Sequence, residues 1–288
     1  MKSSTAEFDI FTMSGPGDGA GDGAAPPARR VAIGKFDGLH LGHREVLRGC
    51  DTVCTFDPHP LAVLRPDAAP RLLTDVARRA ELAAALGVRE LVVLRFDDAM
   101  RRRSPEAFVD EVLVAQLGAI HVSVGENFRF GHRAKGTPEL LRADGRFSVR
   151  VAAPVTVDGA AVSSTRVRAV LAAGAVAEAA MLLGAPHALR CAAAPDGTLL
   201  PPAGMAVPAD GTYRVAVTTG PGRIHRTTRC TVAADGTTLV LEDGADALPA
   251  RPRHVLVHFL ARVTAGAPAA TATAPRPAPA SAARASRR

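Results

Sequence analysis

The chain has 288 residues, 47% hydrophobic and 22% charged, a balance that supplies a sizeable core and excludes a largely disordered protein. No apolar run approaches the roughly 18 to 20 residues that span a bilayer, and the first thirty residues lack an apolar signal-peptide core, so a cytoplasmic protein with no membrane partner is expected. The net charge of +7 does not indicate a nucleic-acid partner: residues 264–288 hold four arginines and no acid, and the remaining charge is spread rather than striped.

Residues 1–29 are rich in Gly, Ala, Pro and Asp and are expected to form a disordered tail. Strands and helices then alternate. VAIG (31–34) reads as a strand leading into the helix start HREVLRG, and VCTF (53–56) as a second strand. It ends at Asp57-Pro58-His59-Pro60, whose two prolines argue against a helix there. TDVARRAELAAALGV is expected to be helical from a Thr74 cap to Gly87, followed by the strand ELVVLRF. SPEAFVDEVLVAQLG has Ser104 at N-cap, Pro105 at the first helical position and Gly118 as terminator. HVSVG (121–125) and VRVAAPVTV (149–157) read as strands, SSTRVRAVLAAG and AVAEAAMLLG as helices.

This alternation predicts an α/β fold with a parallel sheet covered on both faces, and its ligand site beyond the carboxyl ends of the strands. From about residue 188 the pattern becomes Thr/Val-rich strands split by Gly, Pro and Asp-Gly turns, which predicts a small antiparallel β domain over 188–263. Residues 264–288 form a basic Ala/Pro-rich tail, also expected to be disordered. Cys50, Cys54, Cys191 and Cys230 show neither a Cys-x-x-Cys pair nor zinc-finger spacing with histidine, so reduced packing residues are expected and no protein-built metal site.

Two segments carry chemistry. In GKFDGLHLGH (34–43), glycines allow a ligand to approach the backbone, and His40 and His43, three apart, share a face of the first helical turn. Two imidazoles there can donate to phosphate oxygens and answer developing charge. Far away, Ser163-Ser164-Thr165-Arg166-Val167-Arg168 places three hydroxyls and two guanidinium groups at another helix start, a second phosphate-binding candidate. Each segment taken alone has a plainer account, as a capped helix with a packed histidine or with surface arginines; their co-occurrence favours phosphate binding.

IGKFDGLHLGH, TFDPHP, VGENFRFGHRAKG and VSSTRVR, in this order, resemble the bacterial FAD synthetase (FMN adenylyltransferase) of the bifunctional riboflavin kinase/FAD synthetase family, over about residues 30–187. The resemblance implies a Rossmann-like nucleotidylyltransferase domain with ATP and FMN as substrates, FAD as product and Mg²⁺ accompanying ATP. It implies ATP contacts from Gly34, Phe36, Asp37, Gly38, His40, His43, Ser164, Thr165, Arg166 and Arg168. His40, His43 and Arg166 would carry the catalysis. Phe56, Pro58, Asn127 and Phe128 would lie near the flavin. Lys35 stands where asparagine is common in the family.

The family's second domain is a riboflavin kinase marked by a Gly-Phe-Pro-Thr-Ala-Asn stretch. VPADGTYRV and HVLVHFLARV resemble strands of that kinase, but CAAAPDGTLLPPAGMAVPADGTYRV contains no Pro-Thr-Ala-Asn, which implies a degenerate kinase domain. A related nucleotidylyltransferase acting on another small phosphorylated acceptor, or a non-catalytic flavin or nucleotide sensor, are the competing readings. Protein partners and oligomeric state are not legible in the sequence.

Overall fold

Short Val-, Ile- and Leu-rich segments without regular polar alternation can be satisfied only in a sheet buried on both faces. The structure, a computed structural model, describes residues 8–13, 26–194, 196–219, 224–244, 248 and 254–263. Six strands form its first sheet, the central ones buried: β1 (Asp9–Met13), β2 (Arg29–Ile33), β3 (Thr52–Asp57), β4 (Glu90–Arg95), β5 (Ala119–Gly125) and β6 (Ser148–Ala152). Every neighbouring pair is parallel, in the order β1-β4-β3-β2-β5-β6. The order reverses at β2, which pairs with β3 on one side and β5 on the other. The loops leaving β2, β3 and β5 therefore emerge side by side at the switch point where open α/β sheets bind ligands.

The expectation of a mobile segment up to residue 29 needs one correction. Asp9–Met13 pair in register with Glu90–Leu94 as the edge strand, and Met13 is buried in the core. Residues 1–7, 14–25 and 264–288, the rest of the expected tails, lie outside the described residues.

Between the strands run α1 (Leu41–Leu47), α2 (Pro60–Leu64), α3 (Val76–Ala85), α4 (Asp98–Arg102), α5 (Pro105–Ala107) and α6 (Pro138–Asp144). Helix α2 occupies the stretch that two prolines seemed to bar. Pro60 sits at its first position, where a missing N–H costs nothing, and the His59 Nδ1 atom accepts the Leu61 amide as cap. The cap of α3 is Asp75, not Thr74; Asp75 accepts the Arg78 N–H at 2.6 Å while Thr74 is drawn into the site. Ser104 and Pro105 open α5 as expected, but Phe108–Gln116 continues as a wider helix, and Leu117 N–H reaches back five residues to the Val112 carbonyl. The segment read as one strand over 149–157 breaks after Ala152, and Thr156–Val157 (β7) pairs with Ala160–Ala161 (β8) as a hairpin.

Helices α7 (Ser164–Ala172) and α8 (Val176–Leu183) follow, then β9 (Ala188–Ala193), β10 (Thr198–Leu200), β11 (Gly211–Thr218), β12 (Ile224–Val232), β13 (Leu239–Leu241) and β14 (His254–Arg262). These six strands close an antiparallel barrel in the order β10-β13-β12-β11-β14-β9. Its core holds Leu189, Cys230, Tyr213, Val215 and Phe259, and the same cluster includes Val167 and Leu171 of α7 and Leu182 and Leu183 of α8. The two helices after the parallel sheet therefore pack their apolar faces on the barrel.

Candidate active site

Gly34–His40 connects β2 to α1 through a tightly wound turn. Phe36 (φ 48°) and Leu39 (φ 40°) adopt left-handed backbone although neither is glycine, and both side chains are almost wholly buried. Such conformations cost roughly 1–3 kcal/mol each and persist where packing imposes them. Gly38 (φ 87°) has no room for a side chain: an added Cβ would lie 2.7 Å from Leu73 Cδ1.

His40 is the N-cap of α1, and its Nδ1 accepts the His43 N–H at 3.2 Å. In a neutral ring this assigns the proton to Nε2 and makes that atom the donor. The two imidazoles stack with centroids 3.6 Å apart at 15°. Gly42 makes the stack possible, because an added Cβ there would sit 3.2 Å from the His40 ring. Phe36 meets His43 edge to face at 5.3 Å. The buried His43 Nδ1 has no hydrogen-bond partner. Burial pulls His40 down to about 4, and burial with the His40 charge behind it holds His43 well below 6.5. At neutral pH both are uncharged hydrogen-bonding groups.

Asp37 organises the turn from inside. Its Oδ1 accepts the Leu73 and Thr74 amides at 2.8 and 3.0 Å, and its Oδ2 pairs with Arg168. Thr74 Oγ1 accepts the Gly38 N–H at 2.9 Å, which is why Thr74 does not cap α3. The backbone carbonyl of Asp37 accepts the Ser164 hydroxyl at 2.9 Å. The histidine turn and the Ser/Thr/Arg cluster, 127 residues apart, are thus joined directly.

Within that cluster Ser163 caps α7 by accepting the Arg166 N–H. Thr165 is exposed. Arg168 donates its Nε to the Arg71 carbonyl at 2.6 Å besides pairing with Asp37. Arg166 faces elsewhere: it donates to the Val157 and Ala160 carbonyls at 2.9 and 3.0 Å and lies 3.5 Å from Glu178. Of the two arginines, only Arg168 is tied to the histidine turn.

The residues expected near the flavin fall on the neighbouring loops. Phe56, at the end of β3, is buried edge to face with Phe96 at 5.8 Å, and Pro58 is exposed beside it. Asn127 is exposed after β5, while Phe128 is half-buried and stacks on Phe130 at 5.6 Å. Topology brings these loops to the same end of the sheet.

Two residues at the site were not singled out from the sequence. His59 is buried at the α2 cap and held at about 4 by burial and the Lys35 charge. Its signal was present in the TFDPHP motif. Arg79 is 3% exposed, and its guanidinium donates to Thr55 Oγ1 at 3.1 Å and to the Lys35 and Phe56 carbonyls at 3.4 Å. It ties the loops after β2 and β3 together, and its Nε has no partner. An arginine in a charged helix gives no sequence sign that it will be buried. Among the described residues no group of three or more His, Cys, Asp or Glu side chains is placed to hold a metal ion.

The family model for FAD synthetase matches residues 24–166, which hold five of the six strands of the parallel sheet, the histidine turn and the Ser163–Arg166 segment, but neither β1 nor Arg168. The bifunctional riboflavin kinase/FMN adenylyltransferase of Listeria monocytogenes is 38% identical over 173 residues, 56% of this chain and 55% of that protein, so the chain matches about half of that relative's length. The protein of the same name from Pseudomonas fluorescens is 34% identical over 233 residues, 72% of this chain and 75% of that protein. A crystal structure described as a macrolide-efflux protein from Streptococcus pneumoniae superposes with a TM-score of 0.74 at 25% identity, covering 89% of this chain and 91% of that one. Among the described residues no helix is long and apolar enough to cross a membrane. The chain belongs to the FAD synthetase family, with the bifunctional riboflavin kinase/FMN adenylyltransferases as its relatives.

Proposed function

We propose that this chain transfers AMP from ATP to FMN, giving FAD and pyrophosphate, and that it does not phosphorylate riboflavin. The observation that carries the first part is the direct joining of the two phosphate-binding segments through Asp37, Ser164 and Arg168. In the step, an FMN phosphate oxygen attacks the α-phosphorus of ATP, the new P–O bond forms, and the bond to the leaving pyrophosphate breaks. No covalent protein intermediate is required, and positioning with charge stabilisation supplies the rate.

His40 Nε2–H and His43 act as neutral donors to the phosphate oxygens, and Gly34, Phe36 and Gly38 shape the backbone around the nucleotide. Ser164, Thr165 and Arg168 hold the triphosphate from the other side. Arg166 joins them by releasing the Val157 and Ala160 carbonyls. Phe56, Pro58, Asn127 and Phe128 border the isoalloxazine. Mg²⁺ would arrive with ATP, held by the nucleotide phosphates, where it would offset their negative charge.

The second part rests on the sequence of residues 191–212, which contains no Pro-Thr-Ala-Asn. The test is product analysis by chromatography with ATP and Mg²⁺ in two arms. FMN should be converted to FAD, and riboflavin should remain unchanged. Unconverted FMN with another acceptor adenylylated would overturn the first assignment. FMN formed from riboflavin above a no-enzyme control would overturn the second.

A further inference from the structure

The barrel loop 201–209 lies against the strip that borders the histidine turn. Leu72 N–H donates to the Gly204 carbonyl and Ala206 N–H donates to the Leu72 carbonyl, both at 2.7 Å, so Leu72 is clamped on both of its backbone groups. Leu72 and Met205 pair as an isolated parallel bridge. The next two amides along the strip, Leu73 and Thr74, are the ones that grip Asp37. The carbonyl just before it, Arg71, accepts Arg168 Nε. Adjacent residues of an extended chain face opposite sides, so fixing both backbone groups of Leu72 to the barrel turns the Arg71 carbonyl and the Leu73 N–H toward the site, and the bend at Leu73 brings the Thr74 N–H to the same carboxylate.

The loop is itself held firmly. His187, 2% exposed, is hydrogen-bonded through Nε2 to the Ala206 carbonyl at 2.8 Å, and Tyr213 donates its hydroxyl to the Ala209 carbonyl at 2.7 Å. Ala209 N–H donates to the Leu171 carbonyl at 3.0 Å, attaching the same loop to α7, the helix that carries Ser164, Thr165, Arg166 and Arg168. Leu73, Val167, Leu171, Met205 and Ala206 are buried in one hydrophobic cluster with the barrel. Both halves of the anion-binding edge, the strip under the histidine turn and the start of α7, thus rest on one loop.

We propose that loop 201–209 is a brace for the adenylylation site, so that the barrel serves ATP binding and supplies no chemistry. The residues of the loop are positioning residues, acting through Leu72, Asp37 and Leu171. This inference rests on the reading of the site as an ATP site. Its structural part has a readout that does not depend on turnover.

The test uses the full chain. Ala206→Pro removes the N–H that holds the Leu72 carbonyl. Gly204→Ala strains a position at φ 78° where an added Cβ meets no atom within 4 Å, so it perturbs the loop without a clash. Leu241→Ala, a change in the barrel core that removes none of the hydrogen bonds between the loop and Leu72 or Leu171, lowers barrel stability while leaving those bonds in place. Hydrogen exchange should quicken at residues 37–43 and 71–76 in both loop variants and stay unchanged there in Leu241→Ala. Binding of a non-hydrolysable ATP analogue should weaken about tenfold in the loop variants only, the effect of losing about one oriented hydrogen bond. Unchanged exchange and affinity in a folded loop variant would overturn the brace, and so would equal loss in Leu241→Ala. Should Ala206→Pro fail to fold, Gly204→Ala carries the test. Absence of FAD formation by the wild type, with the exchange coupling intact, would count against the function and leave the brace standing.

Discussion

Asp37 and Arg168, 131 residues apart in sequence, form an ion pair in which the carboxylate is only 4% exposed and the guanidinium 19%. Around that pair the histidine turn, the 71–74 strip and the start of α7 hold one another. A partly buried pair of this kind adds little over an apolar substitute, but removing one partner leaves the other charge uncompensated.

Asp37→Ala should therefore destabilise the protein by about 3 kcal/mol, since it deprives the Leu73 and Thr74 amides and Arg168 of their acceptor. Asp37→Asn keeps one oxygen for the amides and should cost less. Urea denaturation reads both; an Asp37→Ala midpoint equal to wild type would show that the pair does not hold the turn.

His43→Ala should lower turnover by about 10² to 10³ with the fold retained, the usual effect of deleting one preorganised donor to developing charge. The measurement is kcat with FMN and ATP beside a circular dichroism spectrum. Near-wild-type kcat in a folded variant would make His43 a packing residue.

Stability should fall as pH drops from about 6.5 to 4. Burial lowers His40, His187 and His258 to about 4 and, with the neighbouring charges, holds His43 well below 6.5. Between those values the unfolded chain binds protons that the folded chain refuses, so the stability present above pH 6.5 is lost on acidification. Each such histidine contributes up to about 1.4 kcal/mol per pH unit. Thermal denaturation at pH 7 and pH 5 tests the sign: a melting temperature that stays level or rises at pH 5 contradicts neutral buried histidines. Bound polyphosphate, being anionic, should raise His40 and His43 and draw protons from solution.

Much of this was legible in advance, for a physical reason. Alternating apolar segments and punctuated helices point to a parallel sheet, and the glycine-histidine turn reads as an anion site only together with the Ser163–Arg168 segment, since each alone fits a capped helix. What stayed hidden is pairing that local pattern does not encode. DIFTM, amid glycine-rich chain, becomes strand β1 only because the edge of β4 is available to it. Thr74 is as good a cap as Asp75, and the choice was made by Gly38, far away. Arg79 reads as a surface charge until Thr55 and the two loop carbonyls enclose it. The same limit hid the docking of α7 on the barrel, since its apolar face fits either partner.

Deleting residues 1–13 should lower the melting temperature, because it strips the edge strand from β4 and removes the buried Met13 side chain. Loss of that side chain alone is worth about 2 kcal/mol. An unchanged melting temperature would show that the sheet is complete without β1.

The central claim is adenylyl transfer to FMN, and ATP labelled at the α-phosphorus tests it most directly. Incubated with FMN, Mg²⁺ and the purified full-length chain, the label should appear in FAD in proportion to FMN consumed, with the released pyrophosphate unlabelled. Label in pyrophosphate, in a product without flavin, or remaining entirely in ATP would contradict it.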